Sequence, residues 1–140
     1  MPTIVVGNRQ ITMPPPIYVL PETIEVSENA VCGKCLYPSS DPTVGERGDH
    51  ANVCHSTFAL WNAAHAWAQI NGHRRLFATN VNQKVRGLTP PDTIIDFVAQ
   101  ITKMRRHGGQ LVGSVKATFR LSGRQRPLLE MEVNFIEEKA

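Results

Sequence analysis

The stretch Ser56–Ile70, STFALWNAAHAWAQI, decides the fold of this 140-residue chain. It contains no proline or glycine, Ser56 or Thr57 can cap its start, and the following Asn71-Gly72 supplies a left-handed stop. These features predict one helix from about Ser56 to Ile70. Its apolar side chains surround the axis on most sides: Phe58, Ala59, Leu60, Trp61, Ala63, Ala64, Ala66, Trp67 and Ile70. Such a helix is buried around most of its circumference, so the rest of the chain must wrap it.

Three long stretches after the helix carry the pattern of strands with one buried face. Apolar residues occupy alternate positions in each stretch, which is the side-chain period of a β-strand. Tight connections at Gly108-Gly109 and Ser122-Gly123 join them into an antiparallel meander. With a strand before the meander and two short strands before the helix, the predicted strands are residues 22–26, 30–37, 76–85, 95–102, 111–120 and 128–135.

This order of elements predicts the architecture. One helix followed by long antiparallel strands is typical of an α+β hot-dog fold, in which an antiparallel β-sheet wraps one long central helix. Residues 1–22, which include Pro14-Pro15-Pro16, are predicted to form an N-terminal arm, and residues 23–140 a single hot-dog domain. The sheet leaves an edge strand to protect, so we expect a homodimer or a higher homo-oligomer paired edge to edge.

Composition narrows the classes of protein further. Hydrophobic residues make up 41% and charged residues 19%, with a net charge of +3, which indicates one globular domain without a separate cofactor domain. Three cysteines favour a reducing compartment over a disulfide scaffold, and no stretch has the length or hydropathy of a signal peptide or membrane span. We therefore expect a cytoplasmic protein. Few aromatic residues are free for stacking, so nucleic acid is not an expected partner.

Short motifs point to a family. Cys32-Gly-Lys-Cys-Leu-Tyr37, Asp49-His50-Ala-Asn52, Trp61-Asn62 and Arg86-Gly-Leu-Thr-Pro90 together resemble the FcoT-like long-chain acyl-CoA thioesterases of the hot-dog superfamily, over residues 29–136. The resemblance implies two catalytic tyrosines and a helix asparagine. This chain has the asparagine, as Asn62, but not the two tyrosines, because the corresponding positions fall near Ala30 and Val44.

The same resemblance extends to relatives in isonitrile lipopeptide pathways, which add glycine to an enoyl group on a carrier protein and release the acid. Tyr18 and Tyr37 are the chain's only phenols, so they alone can replace the missing tyrosines.

Candidate catalytic residues cluster where the helix begins. In hot-dog enzymes the thioester lies beside the helix N-terminus, where backbone N–H groups and the helix dipole polarise its carbonyl. His50 and His55 lie in this region, and either can act as the general base for water. Asn62 is expected to orient the water or the thioester, or alternatively to bridge to a strand as a buried amide.

Four further residues are predicted to bind the substrate. Trp61 and Phe58 are candidates on the helix, and Lys84 and Arg86 share one face of the strand at 76–85. Lys84 is suited to a carboxylate, a phosphate or an oxyanion, although a solvent-exposed face explains the same pattern. Arginines and lysines at the ends of elements suit coenzyme A phosphates or an acidic carrier protein.

A zinc site at Cys32 and Cys35, completed by His50 and Cys54, is disfavoured because the second pair lacks the spacing of a zinc ribbon. We expect no metal and no other cofactor, since a thioester carbonyl is already electrophilic.

The predicted function is hydrolysis of a fatty acyl-CoA or acyl-carrier-protein thioester. The alternatives are a lyase-type reaction, namely dehydration of a 3-hydroxyacyl thioester or glycine addition to an enoyl thioester, and a non-catalytic acyl-binding or heterodimer subunit.

Overall fold

A computed structural model describes residues 2–44, 51 and 53–140, with the side chain of Val53 left out. The helix α1 spans Val53–Ile70, so it begins three residues before the predicted start and places Ser56 inside the helix instead of at its cap. It ends as predicted: Gly72 has a φ of 75°, and His73 N donates to Ala68 O at 2.8 Å. This is the Schellman arrangement, which only a residue tolerant of positive φ completes at low cost.

The described strands form one large sheet and one small one. In chain order they are β1 (Thr3–Val6), β2 (Arg9–Thr12), β3 (Glu25–Val26), β4 (Ala30–Cys35), β5 (Leu76–Val85), β6 (Ile95–His107), β7 (Gln110–Leu121) and β8 (Pro127–Glu137). A short 3-10 helix, Pro21–Thr23, precedes β3. The large sheet has the order β3-β4-β6-β7-β8-β5, and β1 pairs only with β2.

Every pairing in the large sheet is antiparallel. The predicted meander is confirmed as β6-β7-β8, and β5 pairs with its last strand, β8. Apolar and polar residues alternate along these strands because one face of the meander packs on α1 and excludes water. The inward side chains are Ile95, Phe97, Ala99, Leu111, Val115, Ala117, Phe119, Leu129, Met131, Val133 and Phe135, all buried. The predicted α+β hot-dog architecture, a sheet wrapped around a central helix, is therefore confirmed.

The N-terminal segment covers the side of α1 that the sheet leaves open. The β1-β2 hairpin contacts the end of the helix, where the Arg9 guanidinium donates to Ile70 O at 3.0 Å and Gln69 exchanges two hydrogen bonds with the backbone of Thr12. Farther along, Leu36 N donates to Tyr18 O at 3.0 Å, so the segment joins the end of β4. This connection holds Tyr18 beside the first turns of α1.

One stripe of the helix remains open to solvent. Phe58 is 44% exposed, while Thr57, Trp61 and Ala64 are half-buried, and these positions recur at helical spacing. The stripe lies beside β5, whose outer edge pairs with no strand of the described chain. The edge strand and the open stripe together form one continuous exposed region.

Candidate functional site

A connected polar group surrounds His55 in the first turns of α1. The His55 imidazole is buried, and its Nε2 lies 3.1 Å from the Thr43 hydroxyl. Thr43 Oγ1 donates to Asp41 Oδ1 at 2.7 Å, and the Tyr18 hydroxyl donates to Asp41 Oδ2 at 2.7 Å. We call Tyr18, Tyr37, Asp41, Thr43, His55 and Ser56 the His55 cluster.

The hydrogen bonds assign a tautomer to His55. A hydroxyl has one proton, and that of Thr43 is committed to the Asp41 carboxylate, so Thr43 can only accept from the imidazole. His55 Nε2 therefore carries a proton, and the neutral ring has its lone pair on Nδ1. Hydrogen bonds from Tyr18 and then from Thr43 lower the pKa of Asp41 to about 2. Asp41 is thus an ionised acceptor that orients Thr43 and, through it, the imidazole.

Two tyrosines flank the imidazole. The rings of Tyr18 and Tyr37 lie with their centroids 5.5 and 5.8 Å from that of His55. The Tyr37 hydroxyl is 2.8 Å from Ser56 Oγ, and burial raises its pKa well above the usual value. Tyr37 therefore stays a neutral phenol that can donate a hydrogen bond. Both tyrosines of the chain thus meet at the same histidine.

Asn62 makes the hydrogen bonds of the bridging alternative. Its Oδ1 accepts from Tyr18 N at 3.0 Å, and its Nδ2 donates to Pro16 O at 3.1 Å and to Pro14 O at 3.4 Å. All of these partners are backbone atoms of the N-terminal segment, and the residue is only 1% exposed. Asn62 therefore forms a structural bridge, although to the arm and not to a strand, and both hydrogens of its amide are committed to that contact.

An apolar groove runs between the open stripe of α1 and β5. Its volume is about 50 Å³, and it is lined by Thr57, Leu60, Trp61 and Ala64 of the helix together with inward residues of β4 to β8. Gln83 Nε2 donates to Thr57 Oγ1 at 2.9 Å, which links β5 to the helix. Trp61 lines the groove, as a substrate-binding residue would, and Phe58 is exposed on the same stripe.

Lys84 and Arg86 are not near this groove. Lys84 lies opposite Glu130 in the β5-β8 register, on the face away from the helix, because its neighbours Gln83 and Val85 pair with the inward Met131 and Leu129. Arg86 forms an exposed ion pair with Glu130 at 3.1 Å. The polar face predicted for this strand is therefore the solvent face of the sheet, because side chains alternate between the two faces. Neither Lys84 nor Arg86 contacts the His55 cluster or the groove.

The fold of β4 separates the two cysteines of the candidate pair. Cys32 and Cys35 are three residues apart on β4, so they point to opposite faces of the sheet. Cys35 is fully buried, donates to the Tyr37 hydroxyl at 3.4 Å, and has its pKa raised by burial to about 12. Among the described residues, no three His, Cys, Asp or Glu side chains group as metal ligands would. His50, the other candidate base, lies outside the described residues.

Sequence reasoning missed Asp41, Thr43 and Ser56 as members of the His55 cluster. The only local signal was the Asp-Pro-Thr sequence, whose Asp41 side chain accepts from Thr43 N at 2.9 Å in an Asx turn. Nothing local connects that turn with His55, because the contact depends on how the loop after β4 returns to the helix.

Comparisons with solved structures establish the fold. The dehydratase heterocomplex ApeI:P from Xenorhabdus doucetiae matches with a TM-score of 0.68 at 13% identity, covering 86% of this chain and 83% of that one. A mutant thioesterase from Pseudomonas aeruginosa matches with a TM-score of 0.62 at 9% identity, covering 81% and 78%. A thioesterase superfamily protein from Shewanella loihica matches with a TM-score of 0.57 at 10% identity, covering 79% and 85%. The chain thus has the fold of hot-dog thioesterases and dehydratases.

No family model matches the sequence, and no curated protein matches it in sequence. The described residues include no helix that is both long and apolar enough to cross a bilayer.

Proposed function

We propose that the chain is a hot-dog acyl thioesterase, which hydrolyses a fatty acyl group from coenzyme A or from a carrier protein. The observation that carries this proposal is the hydrogen-bonded series from Asp41 through Thr43 to His55 at the start of the helix. The apolar groove begins in the same turns, at Thr57, on another side of α1. The proposal places the thioester over the helix N-terminus, between His55 and the groove.

In this proposal His55 is the general base. It takes a proton from water, which attacks the thioester carbonyl, and Asp41 stabilises the imidazolium through Thr43. The positive end of the α1 dipole stabilises the oxyanion of the tetrahedral intermediate. The proton then passes to the departing thiolate, so that free acid and thiol are released.

The test is thiol release from acyl-CoA by the full chain and by His55→Ala. General base catalysis contributes about 10²–10⁴-fold, so kcat should fall by at least 100-fold. His107→Ala is the matched control, because His107 is exposed at the end of β6 and lies outside the His55 cluster. Equal turnover by wild type and His55→Ala contradicts the catalytic assignment. Binding of acyl chains without any turnover by wild type favours the alternative of a non-catalytic acyl-binding subunit.

A lyase reaction is the second candidate, favoured by the fold shared with a dehydratase complex. The same base would act at the α-carbon of the thioester, in dehydration of a 3-hydroxyacyl group or in glycine addition to an enoyl group. Incubation with enoyl and 3-hydroxyacyl thioesters, with and without glycine, followed by mass analysis separates these reactions. Unmodified free acid as the only product excludes both. Parallel assays with acyl-CoA and acyl carrier protein identify the carrier.

We also infer a homodimer joined through the edge of β5. Nine of the ten residues of this strand are exposed, including Phe77 at 41%, Val81 at 40% and Val85 at 60%. A long edge that exposes several apolar side chains, and that pairs with no strand in the described part of the chain, favours pairing with a second copy. Light scattering should give twice the mass of one chain, and Val85→Asp should shift the protein toward monomer. Val5→Asp, at 57% exposure on the β1 strand, should not. A wild-type monomer at all concentrations contradicts the inference.

A further inference from the structure

Gln83 is a polar exception on an apolar strand face. The register between β5 and β8 turns one set of β5 residues toward α1. Apart from Gln83 this set is apolar: Leu76, Ala78, Val81 and Val85. The first three of these line the apolar groove, and Gln83 is the next inward position after Val81. The amide of Gln83 thus follows the point where the β5 lining of the groove ends.

The Gln83 amide lies beside the first turns of α1. Its Nε2 donates to Thr57 Oγ1 at 2.9 Å. Thr57 lies near the start of α1 at Val53 and also lines the groove. Gln83 itself is exposed. The amide therefore lies at the end of the groove nearest the helix N-terminus, on a surface that a bound molecule can reach.

Thr57 uses only part of the hydrogen-bonding capacity of this amide. A primary amide has two N–H donors and one carbonyl acceptor. Thr57 accepts from one N–H, and no second hydrogen bond to the Gln83 side chain is present within the described part of the chain. One N–H donor is therefore available to a ligand, and the contact with Thr57 restricts how the amide can rotate.

His55 and Gln83 approach the start of α1 from different sides. His55 and Thr57 are two residues apart on the helix, so their side chains point about 160° apart around its axis. A thioester over the helix N-terminus then has the proposed base on one side and the Gln83 amide on the other. Negative charge develops on its carbonyl oxygen in the tetrahedral intermediate, and a side-chain amide N–H directed at that oxygen stabilises it.

We propose that Gln83 is a catalytic residue for this reaction: its second amide N–H donates to the thioester carbonyl oxygen, and Thr57 is the positioning residue that orients the amide. The hydrogen bond strengthens as the oxygen becomes an anion, and Gln83 keeps its proton throughout. The inference rests on the proposed function, since it takes the thioester to lie over the helix N-terminus. In a purely structural role, Gln83 would only tie β5 to α1.

The test measures kcat and KM for thiol release from acyl-CoA. Gln83→Leu removes the donor and should lower kcat about 100-fold with little change in KM, as the loss of one oxyanion donor does. Thr57→Val removes the acceptor that orients the amide and should lower kcat about tenfold, a partial loss of the same effect. Thr57→Ser keeps the hydroxyl and should stay close to wild type. Gln100→Leu is the matched control, because Gln100 is exposed on β6, and it should keep the wild-type kcat.

Binding of an acyl-CoA thioether separates the catalytic role from the structural one. The thioether has no carbonyl oxygen beside its sulfur, so it cannot receive the proposed hydrogen bond. Calorimetry should therefore give the same affinity for wild type and Gln83→Leu. Light scattering and urea unfolding measure whether the variant keeps the oligomeric state and the stability of wild type.

Three outcomes overturn the inference: an unchanged kcat in Gln83→Leu, a loss confined to KM, or a loss of thioether affinity as large as the loss of kcat. If Gln83→Leu changes the oligomeric state or fails to fold, Thr57→Val and Thr57→Ser decide, and equal kcat values for these two overturn the inference. Thiol release by wild type in any of these cases leaves the proposed function standing. Absence of thiol release by wild type refutes the proposed function, and the role of Gln83 with it.

Discussion

The substitution Asn62→Ala separates the structural role of this residue from a catalytic one. The amide ties the N-terminal segment to α1 through Tyr18 N, Pro16 O and Pro14 O. Alanine removes all of these bonds and leaves the Tyr18 N–H without its acceptor. We therefore expect a large loss of stability and, because Tyr18 contacts His55 and donates to Asp41, an indirect loss of activity.

The magnitude follows from the bonds. A net hydrogen bond is worth about 1 kcal/mol, and a buried donor left unsatisfied costs about 1–3 kcal/mol. The 3.0 and 3.1 Å bonds count fully, whereas the 3.4 Å bond to Pro14 contributes less because of its length. The free energy of unfolding should fall by about 3 kcal/mol, which at a urea m-value of about 2 kcal/mol/M lowers the midpoint by about 1.5 M.

Urea unfolding at a fixed protein concentration measures this change. Hydrogen exchange at the Tyr18 amide should accelerate in the variant, since its acceptor is gone. Asn8→Ala is the control, because Asn8 is exposed in the turn between β1 and β2, and it should stay within about 0.5 kcal/mol of wild type. If Asn62→Ala abolishes turnover while its stability and the Tyr18 exchange rate stay at wild-type values, the bridge assignment is refuted and the amide is catalytic.

Three further predictions concern packing, charge and pH. Gly113→Ala should lower stability by about 1–3 kcal/mol in urea unfolding, because a Cβ there would meet the backbone of the adjacent strand and lie 2.6 Å from the Phe135 ring; unchanged stability would contradict this packing. Arg86→Ala removes an exposed pair with Glu130 and should change stability by less than about 1 kcal/mol and leave KM for acyl-CoA unchanged, whereas a raised KM would place Arg86 in the substrate site. The lowered pKa of His65 means that the unfolded chain takes up its proton first, so stability should fall as the pH drops below 6.5. His65→Leu should reduce that slope in unfolding measured at several pH values, and an unchanged slope would refute the assignment.

The fold could be predicted because its signals are local. The period of two in β6 to β8 and the apolar α1 each follow from which side chains avoid water, and one sheet around one helix satisfies both. The predicted start of α1 lies three residues after the observed one, because serine is a favourable N-cap residue. In the structure the Ser56 hydroxyl lies 2.8 Å from the Tyr37 hydroxyl, inside the His55 cluster. The side chains of Lys84 and Arg86 lie on the solvent face of the sheet. Predicting this required the register between β5 and β8, which the sequence of one strand does not contain.

The site was harder to predict because its members come from distant parts of the chain. His55 was identified from its place at the helix start, a local property. Its partners Asp41 and Thr43 lie in the loop after β4, and Tyr18 lies in the arm. Their convergence depends on tertiary packing. The sequence therefore identifies Tyr18 and Tyr37 as candidates but does not show which residues hydrogen-bond to them.

The assignment of Asn62 can be traced to the chemistry of proline. Residues 14–16 are three consecutive prolines, which have carbonyl acceptors but no N–H donors. A segment of this kind cannot pair with a strand in the ordinary way, so its buried carbonyls need donors from side chains. Asn62 supplies the donors and also accepts the N–H of Tyr18, which lies just beyond the proline run. The triple proline and the buried amide are thus complementary parts of one contact, and that contact fixes Tyr18 against His55. Asn62 therefore holds the arm, and with it Tyr18, beside His55, so Asn62→Ala is expected to act on the candidate site through Tyr18.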